Sequence, residues 1–294
     1  MTDEEPTAAP GPAPPGGAAV DVRGLGVRGP RGWAFRGVEF HAAAGTLVAL
    51  RGPSGSGRTS LLLALTGRMR TTEGRAETGG FALPGRLAAV RRVTALGPVP
   101  GVSELDPALT VAEHLRERAL LRSRYTGPVR ALLRPGRERA AVAERIDEAV
   151  AAAGLDLAAL PKAGRTQARD LERLESLRLS VALALLDRPR LLAVDDTDLG
   201  LDAAGRAAAW ELLRSVAAGG TTVLAVCAEA PQDVFTVRTG PGAAPGAAAT
   251  DTAGSPAPGA GRTTTAVTAG TPGTPGTTHT EKEADHAGDG TRRA

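Results

Sequence analysis

The sequence of 294 residues contains one cysteine and few aromatic side chains. Cys227 alone can form neither a disulfide framework nor a cysteine-based zinc site, which fits a reducing compartment. Two Trp, one Tyr and four Phe are too few for a base-stacking surface. The formal net charge is only +3, and charges of both signs are mixed along the chain. We therefore predict that the protein does not bind nucleic acid.

Long hydrophobic runs are also missing. No segment approaches the roughly 18 apolar residues of a membrane span, and the N-terminus lacks the basic and apolar regions of a signal peptide. These features predict a cytoplasmic protein.

The two ends of the chain lack the side chains that form a core. Residues 238–294 contain one Val and no Leu, Ile, Met, Phe, Trp or Tyr. Such a Gly-, Ala-, Thr- and Pro-rich segment buries too little apolar surface to offset the entropy of ordering, so it predicts a disordered tail. Residues 1–19 are similar and predict a disordered N-terminal arm. The foldable part is one domain, residues 20–237.

Within this domain, short apolar runs predict strands buried on both faces of a parallel sheet. They cover residues 46–50, 191–194 and 221–227. Apolar residues at helical spacing predict helices at residues 59–65, 110–122, 138–153, 171–187 and 203–217. This alternation is typical of an α/β fold. Residues 112–170 contain no convincing strand and predict an inserted all-helical subdomain.

The segment GPSGSGRT, residues 52–59, has the spacing of a P-loop, GxxxxGK(S/T), with Arg58 in the lysine position. It follows a predicted strand and precedes a predicted helix. Its glycines let backbone N–H groups curl around phosphate oxygens, and the helix N-terminus adds partial positive charge. An ordinary Gly/Ser turn is the alternative. The residues predicted to bind the nucleotide are Gly52, Ser54, Gly55, Ser56, Gly57, Arg58, Thr59 and Ser60.

Two loop residues carry the remaining chemistry of this hypothesis. Thr59 places a hydroxyl where a nucleotide-bound Mg²⁺ lies. Arg58 keeps the positive charge of the usual lysine, but its planar guanidinium needs more room beside the terminal phosphate.

The run LALLDRPRLLAVDDTDLGLD, residues 183–202, resembles the segment from signature helix to D-loop in ATPase subunits of ATP-binding cassette (ABC) transporters. The resemblance covers nearly all of residues 20–237. It implies that a buried strand delivers Asp195 to the Mg²⁺ and that Asp196 is the catalytic residue that orients the attacking water. The family usually has Glu there, which is longer by one C–C bond, about 1.5 Å. Without the resemblance, two acids at a strand end could be a solvated turn or a helix cap.

Other motifs of the family are altered in this chain. The signature Leu-Ser-Gly-Gly-Gln falls on residues 171–175, of which only Leu171 matches. The Q-loop glutamine falls on Pro98 and the switch histidine on Ala228. The adenine-stacking aromatic is missing near Gly29, although Trp33 lies close enough in sequence to replace it. The alternative is that Trp33 is an ordinary core or loop residue.

The entrance to the helical subdomain still resembles the family. There Thr110 and Glu113 predict a capping box at a helix start. We interpret His114 as a surface helix residue and not as a ligand.

The resemblance implies an α/β fold of the ABC-type P-loop NTPases: a parallel sheet core, a small antiparallel β portion and an inserted all-helical subdomain. It also implies an ATP-binding subunit that uses ATP and Mg²⁺ at the inner face of the cell membrane. Its expected partners are a separately encoded permease and a second ATP-binding subunit, as a homodimer or heterodimer. The altered motifs leave a second hypothesis open, a regulatory or pseudo-ATPase subunit with little or no hydrolysis. A P-loop kinase or GTPase fits the run at 183–202 less well.

Overall fold

The computed structural model of the chain describes residues 16–30, 32–126 and 135–240, without the side chains of residues 122–138. Two sheets organise this part of the chain. A five-stranded parallel sheet has the order β6-β7-β8-β3-β9, and a four-stranded antiparallel sheet has the order β2-β1-β4-β5. The strands are β1 (Val20–Gly29), β2 (Gly32–Ala42), β3 (Leu47–Arg51), β4 (Glu73–Thr78), β5 (Phe81–Leu83), β6 (Thr94–Leu96), β7 (Leu191–Val194), β8 (Thr222–Cys227) and β9 (Phe235–Arg238).

Six helices accompany the sheets in the described ranges. They are α1 (Arg58–Leu65), α2 (Leu87–Val93), α3 (Val111–Thr126), α4 (Pro135–Ala152), α5 (Arg173–Leu185) and α6 (Ala203–Ala218). None of them has the length and apolar character that a bilayer span requires.

The α/β fold class predicted from the sequence is confirmed. Strand β7 has the predicted limits, and β3 and β8 begin one residue later than expected. These strands were predictable because they lie in the middle of the sheet, where both faces are buried and the sequence is continuously apolar. The outer strands β6 and β9 and the whole antiparallel sheet are shorter, bulged or half exposed. Their patterns did not predict individual strands.

Two hydrophobic clusters cover the two faces of the parallel sheet. Along β3, Ala49 belongs to the cluster with helices α3 to α6, whereas Val48 and Leu50 belong to the cluster with α1 and the antiparallel sheet. This division follows from the alternation of side chains along a strand. Helix α1 and the loop before it are therefore held between the two sheets.

Helices α3 and α4 occupy the region predicted to be a helical subdomain, followed by short 3₁₀ turns at Ala163–Arg165 and Ala168–Asp170. The predicted capping box is present: the Glu113 carboxylate accepts the Thr110 N–H at 2.8 Å, and the Thr110 hydroxyl accepts the Glu113 N–H at 3.3 Å. The interpretation of His114 as a surface residue was wrong. It is only 8% exposed, and its Nε2 lies 3.1 Å from the Asp106 carbonyl oxygen, because this face of α3 turns toward the domain.

The domain begins earlier than the sequence predicts. Ala18 is fully buried, and the Arg190 guanidinium donates hydrogen bonds to the carbonyl groups of Gly16 and Gly17. A Cβ on Gly17 would lie 2.4 Å from the backbone nitrogen of Gly45, so only glycine fits there. The predicted arm at residues 1–19 therefore extends too far by four residues, and residues 1–15 lie outside the described part.

The domain also ends later than the predicted boundary at residue 237. Strand β9 pairs in parallel with β3, and Thr239 beyond it is 4% exposed. Its N–H donates to the Arg51 carbonyl at 2.8 Å. Backbone pairing of this kind needs no apolar side chain, which explains why composition placed the boundary too early. Residues 241–294 of the predicted tail lie outside the described part.

These boundaries predict different outcomes for two truncations. Removal of residues 241–294 is expected to change the Tm by less than about 2 °C, because that segment contains almost no apolar surface. Removal of residues 239–294 also deletes the buried Thr239 and is expected to lower the Tm by about 4–8 °C. Calorimetric unfolding of both truncated proteins and the full chain measures the difference. Equal Tm losses in the two truncated proteins would contradict it.

Candidate functional site

The predicted phosphate loop connects β3 to α1. Gly55 and Gly57 have φ angles of +78° and +82°, in the left-handed region that favours glycine. A Cβ on Gly57 would lie 2.1 Å from the Ala34 carbonyl oxygen in β2, so the loop is pressed against the antiparallel sheet. Gly57 is the N-cap of α1 and provides no side-chain hydrogen bond. The first N–H groups of α1 are thus available to an anion.

The structure brings together the two residues predicted to hold the metal. Thr59 Oγ1 donates to Asp195 Oδ2 at 2.6 Å, across the gap between α1 and the end of β7. Asp195 is 2% exposed, and its other carboxylate oxygen accepts the Asp196 N–H at 2.9 Å. Burial raises the pKa of the Asp195 carboxyl above its ordinary value, and the hydrogen bond from Thr59 partly offsets that rise.

This pair fits Mg²⁺ bound together with a nucleotide. Mg²⁺ is commonly held by one or two protein oxygen ligands, with phosphate oxygens and waters completing its shell. The described residues contain no group of three or more His, Cys, Asp or Glu side chains that could enclose a metal ion by themselves. Thr59 and Asp195 are therefore suited to a metal that arrives with its phosphate ligands.

The other predicted loop residues differ in their surroundings. Arg58 Nη1 donates to the carbonyl oxygen of Cys227 at 2.7 Å, so its guanidinium reaches the end of β8. Ser54 is exposed and Ser60 is half-buried. Ser56 is buried, and its Oγ lies 2.8 Å from the Oγ1 of Thr239. The sequence did not predict this partner, because Thr239 lies in the stretch predicted to be disordered.

The predicted catalytic residue, Asp196, has an unusual backbone. Its φ angle is +47°, a region that non-glycine residues rarely adopt and that Asp tolerates better than most. The Arg173 guanidinium donates to the carbonyl oxygens of Asp196 at 3.3 Å and Leu199 at 3.0 Å. Asp195 and Asp196 line one side of a cleft of about 340 Å³ between the loop after β6 and helix α5.

The positions of the Q-loop glutamine and the switch histidine carry no polar side chain. Pro98 lines the same cleft, and its carbonyl accepts the Asp195 N–H at 2.9 Å. Ala228 follows β8, where its N–H is held by the Asp198 carboxylate at 2.8 Å and its carbonyl by Arg51 Nε at 3.1 Å. Hydrogen bonds to their backbone groups hold both residues in place, but the side chains of Pro98 and Ala228 cannot hydrogen-bond to a phosphate or a water.

The signature position is occupied by a helix that caps its own N-terminus. Glu172 is the N-cap of α5, and the Glu175 carboxylate accepts the Glu172 N–H at 2.8 Å in a reciprocal capping box. The two carboxylates occupy the place where a helix N-terminus would otherwise attract an anion. This end of α5 is therefore unfavourable for a phosphate group.

Trp33 lies beside the phosphate loop, one residue before the Ala34 that Gly57 contacts. Its ring is 38% exposed, with the Arg36 guanidinium 4.7 Å and the Arg28 guanidinium 5.7 Å from its centroid. These cation–π contacts stabilise the ring at the surface. A role of Trp33 in stacking on a base stays a prediction.

Comparison with known sequences identifies the family. The ABC transporter family profile matches residues 35–198. Nod factor export ATP-binding protein I of Ralstonia nicotianae is 31% identical over 227 residues, which cover 76% of this chain and 63% of that protein. The protein of the same name from Burkholderia orbicola is 32% identical over 207 residues, which cover 70% of this chain and 62% of that protein. The chain thus spans less than two thirds of the length of these relatives.

Solved structures share the fold at lower identity. The dimeric ATP-binding cassette MJ0796, in a post-hydrolysis state bound to ADP and Pi, is 22% identical with a TM-score of 0.54, over 71% of this chain and 88% of that one. CbiO1 from Clostridium perfringens, part of the ABC transporter complex cbiONQ, is 18% identical with a TM-score of 0.59, over 75% and 86%. Together with the match over residues 35–198, these findings show that the chain belongs to the ABC transporter family.

Proposed function

We propose that the chain is the ATP-binding subunit of an ABC-type transporter and that it binds ATP with Mg²⁺ at residues 52–60. The hydrogen bond between Thr59 and Asp195 carries this proposal, because it joins the phosphate loop to the acidic end of β7. The N–H groups of the loop and the N-terminus of α1 would hold the phosphates. Thr59 and Asp195 would hold the Mg²⁺, which neutralises charge on the phosphate oxygens.

The residues around the phosphates have distinct roles in this proposal. Arg58 supplies a positive charge beside the loop, although its contact with Cys227 draws it toward β8. Asp196 would orient a water molecule. Its backbone is held on both sides, because the Asp195 carboxylate accepts its N–H and Arg173 donates to its carbonyl.

A second candidate function is that of a regulatory or pseudo-ATPase subunit with little or no hydrolysis. The capping box of Glu172 and Glu175 favours it, since these carboxylates would repel a phosphate. Pro98 and Ala228 favour it as well, because they lack the polar groups that contact water or phosphate at these positions.

The names of relatives support the proposal for the partners. The Nod factor relatives are export proteins, and CbiO1 is part of a transporter complex. We propose a membrane permease and a second ATP-binding subunit as partners, and a location at the inner face of the membrane through the permease. A homodimer would bring the acidic N-terminus of α5 toward a phosphate. In a heterodimer, the intact signature of a different ATP-binding chain would complete the site of this chain, and the acidic N-terminus of α5 would face only the partner's site.

Binding of Mg-ATP is tested most sharply at Gly55. A Cβ there meets no atom within 4 Å, and its φ of +78° is tolerated by Asn and Asp. Gly55→Asp and Gly55→Asn have nearly the same shape and differ in charge. We expect Gly55→Asp to bind Mg-ATP at least about a hundredfold more weakly than Gly55→Asn, because its carboxylate opposes the phosphates. Isothermal calorimetry of the full chain measures both affinities.

The wild-type chain is titrated with ATP in the presence and absence of Mg²⁺ as a reference. Asn at position 55 is expected to retain measurable affinity, below that of the wild type. Equal affinities of the Asp and Asn variants, or no binding by the wild type, would contradict nucleotide binding at this loop.

A further inference from the structure

Thr239 contacts the phosphate loop from outside the loop motif. Its Oγ1 lies 2.8 Å from Ser56 Oγ, and both residues are buried, at 4% and 7% exposure. Its N–H donates to the carbonyl of Arg51 at 2.8 Å, and its hydroxyl lies 3.5 Å from the same oxygen. One residue thus bonds to the segment just before the loop and to the middle of the loop.

Residues 239 and 240 pack closely against the first residues of the phosphate loop. A Cβ on Gly52 would lie 2.5 Å from the Thr239 carbonyl oxygen and 2.6 Å from its hydroxyl oxygen. A Cβ on Gly240 would lie 3.6 Å from Pro53 and from Ser56. The first turn of the loop is therefore packed directly against residues 239 and 240.

Ser56 lies at a position from which the contact with Thr239 can influence the conformation of the loop. It lies between Gly55 and Gly57, both in the left-handed region, so the directions of the loop N–H groups depend on how this stretch is held. Ser54, in contrast, is exposed to solvent. The hydrogen bond between the hydroxyl groups of Ser56 and Thr239 fixes the middle of the loop to the residue that follows β9.

We propose that Thr239 is a positioning residue of the phosphate loop and that its hydroxyl holds the loop N–H groups in the geometry that binds phosphate. This inference rests on the proposed binding of Mg-ATP. It makes nucleotide affinity depend on the point where the Gly-, Ala-, Thr- and Pro-rich C-terminal stretch joins the domain. Loss of the hydroxyl would leave the Ser56 hydroxyl buried without this partner and would loosen the loop.

The test compares three variants of the full chain. Thr239→Val keeps the shape and removes the hydroxyl, whereas Thr239→Ser keeps the hydroxyl. Thr236→Val is the matched control on β9, because within the described ranges the Thr236 hydroxyl bonds locally, to the Val234 carbonyl at 3.0 Å. We expect Thr239→Val to bind Mg-ATP about tenfold more weakly, and the other two variants to stay within about twofold of wild type.

Hydrogen exchange of the loop amides, measured without nucleotide, separates this inference from the proposed function. Faster exchange at residues 52–57 in Thr239→Val, but not in Thr236→Val, supports positioning even if the wild-type chain binds no ATP. Unchanged exchange in Thr239→Val would overturn it, as would equal effects in the two valine variants.

Ser56→Ala breaks the same hydrogen bond from the loop side and provides a second route if Thr239→Val folds poorly. Ser56→Ala combined with Thr239→Val is expected to weaken binding no more than either change alone, because both remove one interaction. Fully additive losses in the double variant would overturn the inference.

Discussion

The purified chain is expected to hydrolyse Mg-ATP at least about a thousandfold more slowly than an ABC ATPase with an intact set of catalytic groups. Loss of one group that stabilises transition-state charge typically costs about 10²- to 10³-fold in rate. Here Pro98 and Ala228 replace two such groups, and Asp196 is shorter than the usual glutamate by about 1.5 Å. Each tenfold loss in rate corresponds to about 1.4 kcal/mol of transition-state stabilisation. Together, these changes are therefore expected to lower the rate by more than three factors of ten.

Release of phosphate from excess ATP measures this rate, with Asp195→Asn as the matched control. That substitution keeps the shape of the side chain but removes the carboxylate charge that faces Thr59. A rate that survives in Asp195→Asn comes from a contaminating ATPase. Brisk turnover that disappears in Asp195→Asn would contradict the slow-hydrolysis hypothesis and favour an ordinary transporter ATPase.

The central part of the fold could be predicted because its physical signals are local. The loop at residues 52–59 lies between a doubly buried strand and an apolar helix, and the acids after β7 follow a continuously apolar run. The P-loop spacing and the resemblance to the ABC family together predicted that Thr59 and Asp195 would share a site, and the structure places Thr59 Oγ1 2.6 Å from Asp195 Oδ2. Parallel strands bring their carboxyl ends to one edge of the sheet, so this proximity follows from topology.

The contacts at the two domain boundaries could not be predicted in this way. Gly17 and Thr239 are held by backbone groups and by the close approach of other segments, and composition does not record such contacts. Both residues lie in stretches that contain almost no large apolar side chain. A segment can therefore belong to the domain through hydrogen bonds that its sequence pattern does not reveal.

The hydrogen-bond partners of the long arginine side chains could not be predicted from the sequence either. Spacing placed Arg58 beside a phosphate, but in the structure its guanidinium bonds to the Cys227 carbonyl. Arg173, in the signature register, bonds to the carbonyl groups after β7. Both arginines have several rotatable bonds, so their partners depend on tertiary packing.

Restoration of the missing groups is expected to raise ATP turnover by at least about a hundredfold, and more in combination than the single changes predict. The changes are Asp196→Glu, Ala228→His and the substitution of residues 172–175 by Ser-Gly-Gly-Gln. They act on one phosphate, and groups that act as a unit show non-additive effects on rate. The signature substitution also removes the acidic capping box of α5. The signature substitution also replaces Arg173, which donates to the carbonyl groups of Asp196 and Leu199. The effect of Asp196→Glu is therefore expected to depend on whether the signature has been substituted.

The structure predicts a stability cost that must be measured beside the rate. Glutamate tolerates the φ of +47° at position 196 less well than aspartate, and glycines at the start of α5 cost about 1 kcal/mol each. The control variant Arg173→Gly loses the same guanidinium without a restored signature. It is expected to have a lower Tm than the wild type and no gain in turnover. Turnover is therefore compared at a temperature where all variants are folded. If the combined variant gains no more than its best single change, lost groups alone do not explain slow hydrolysis in this chain.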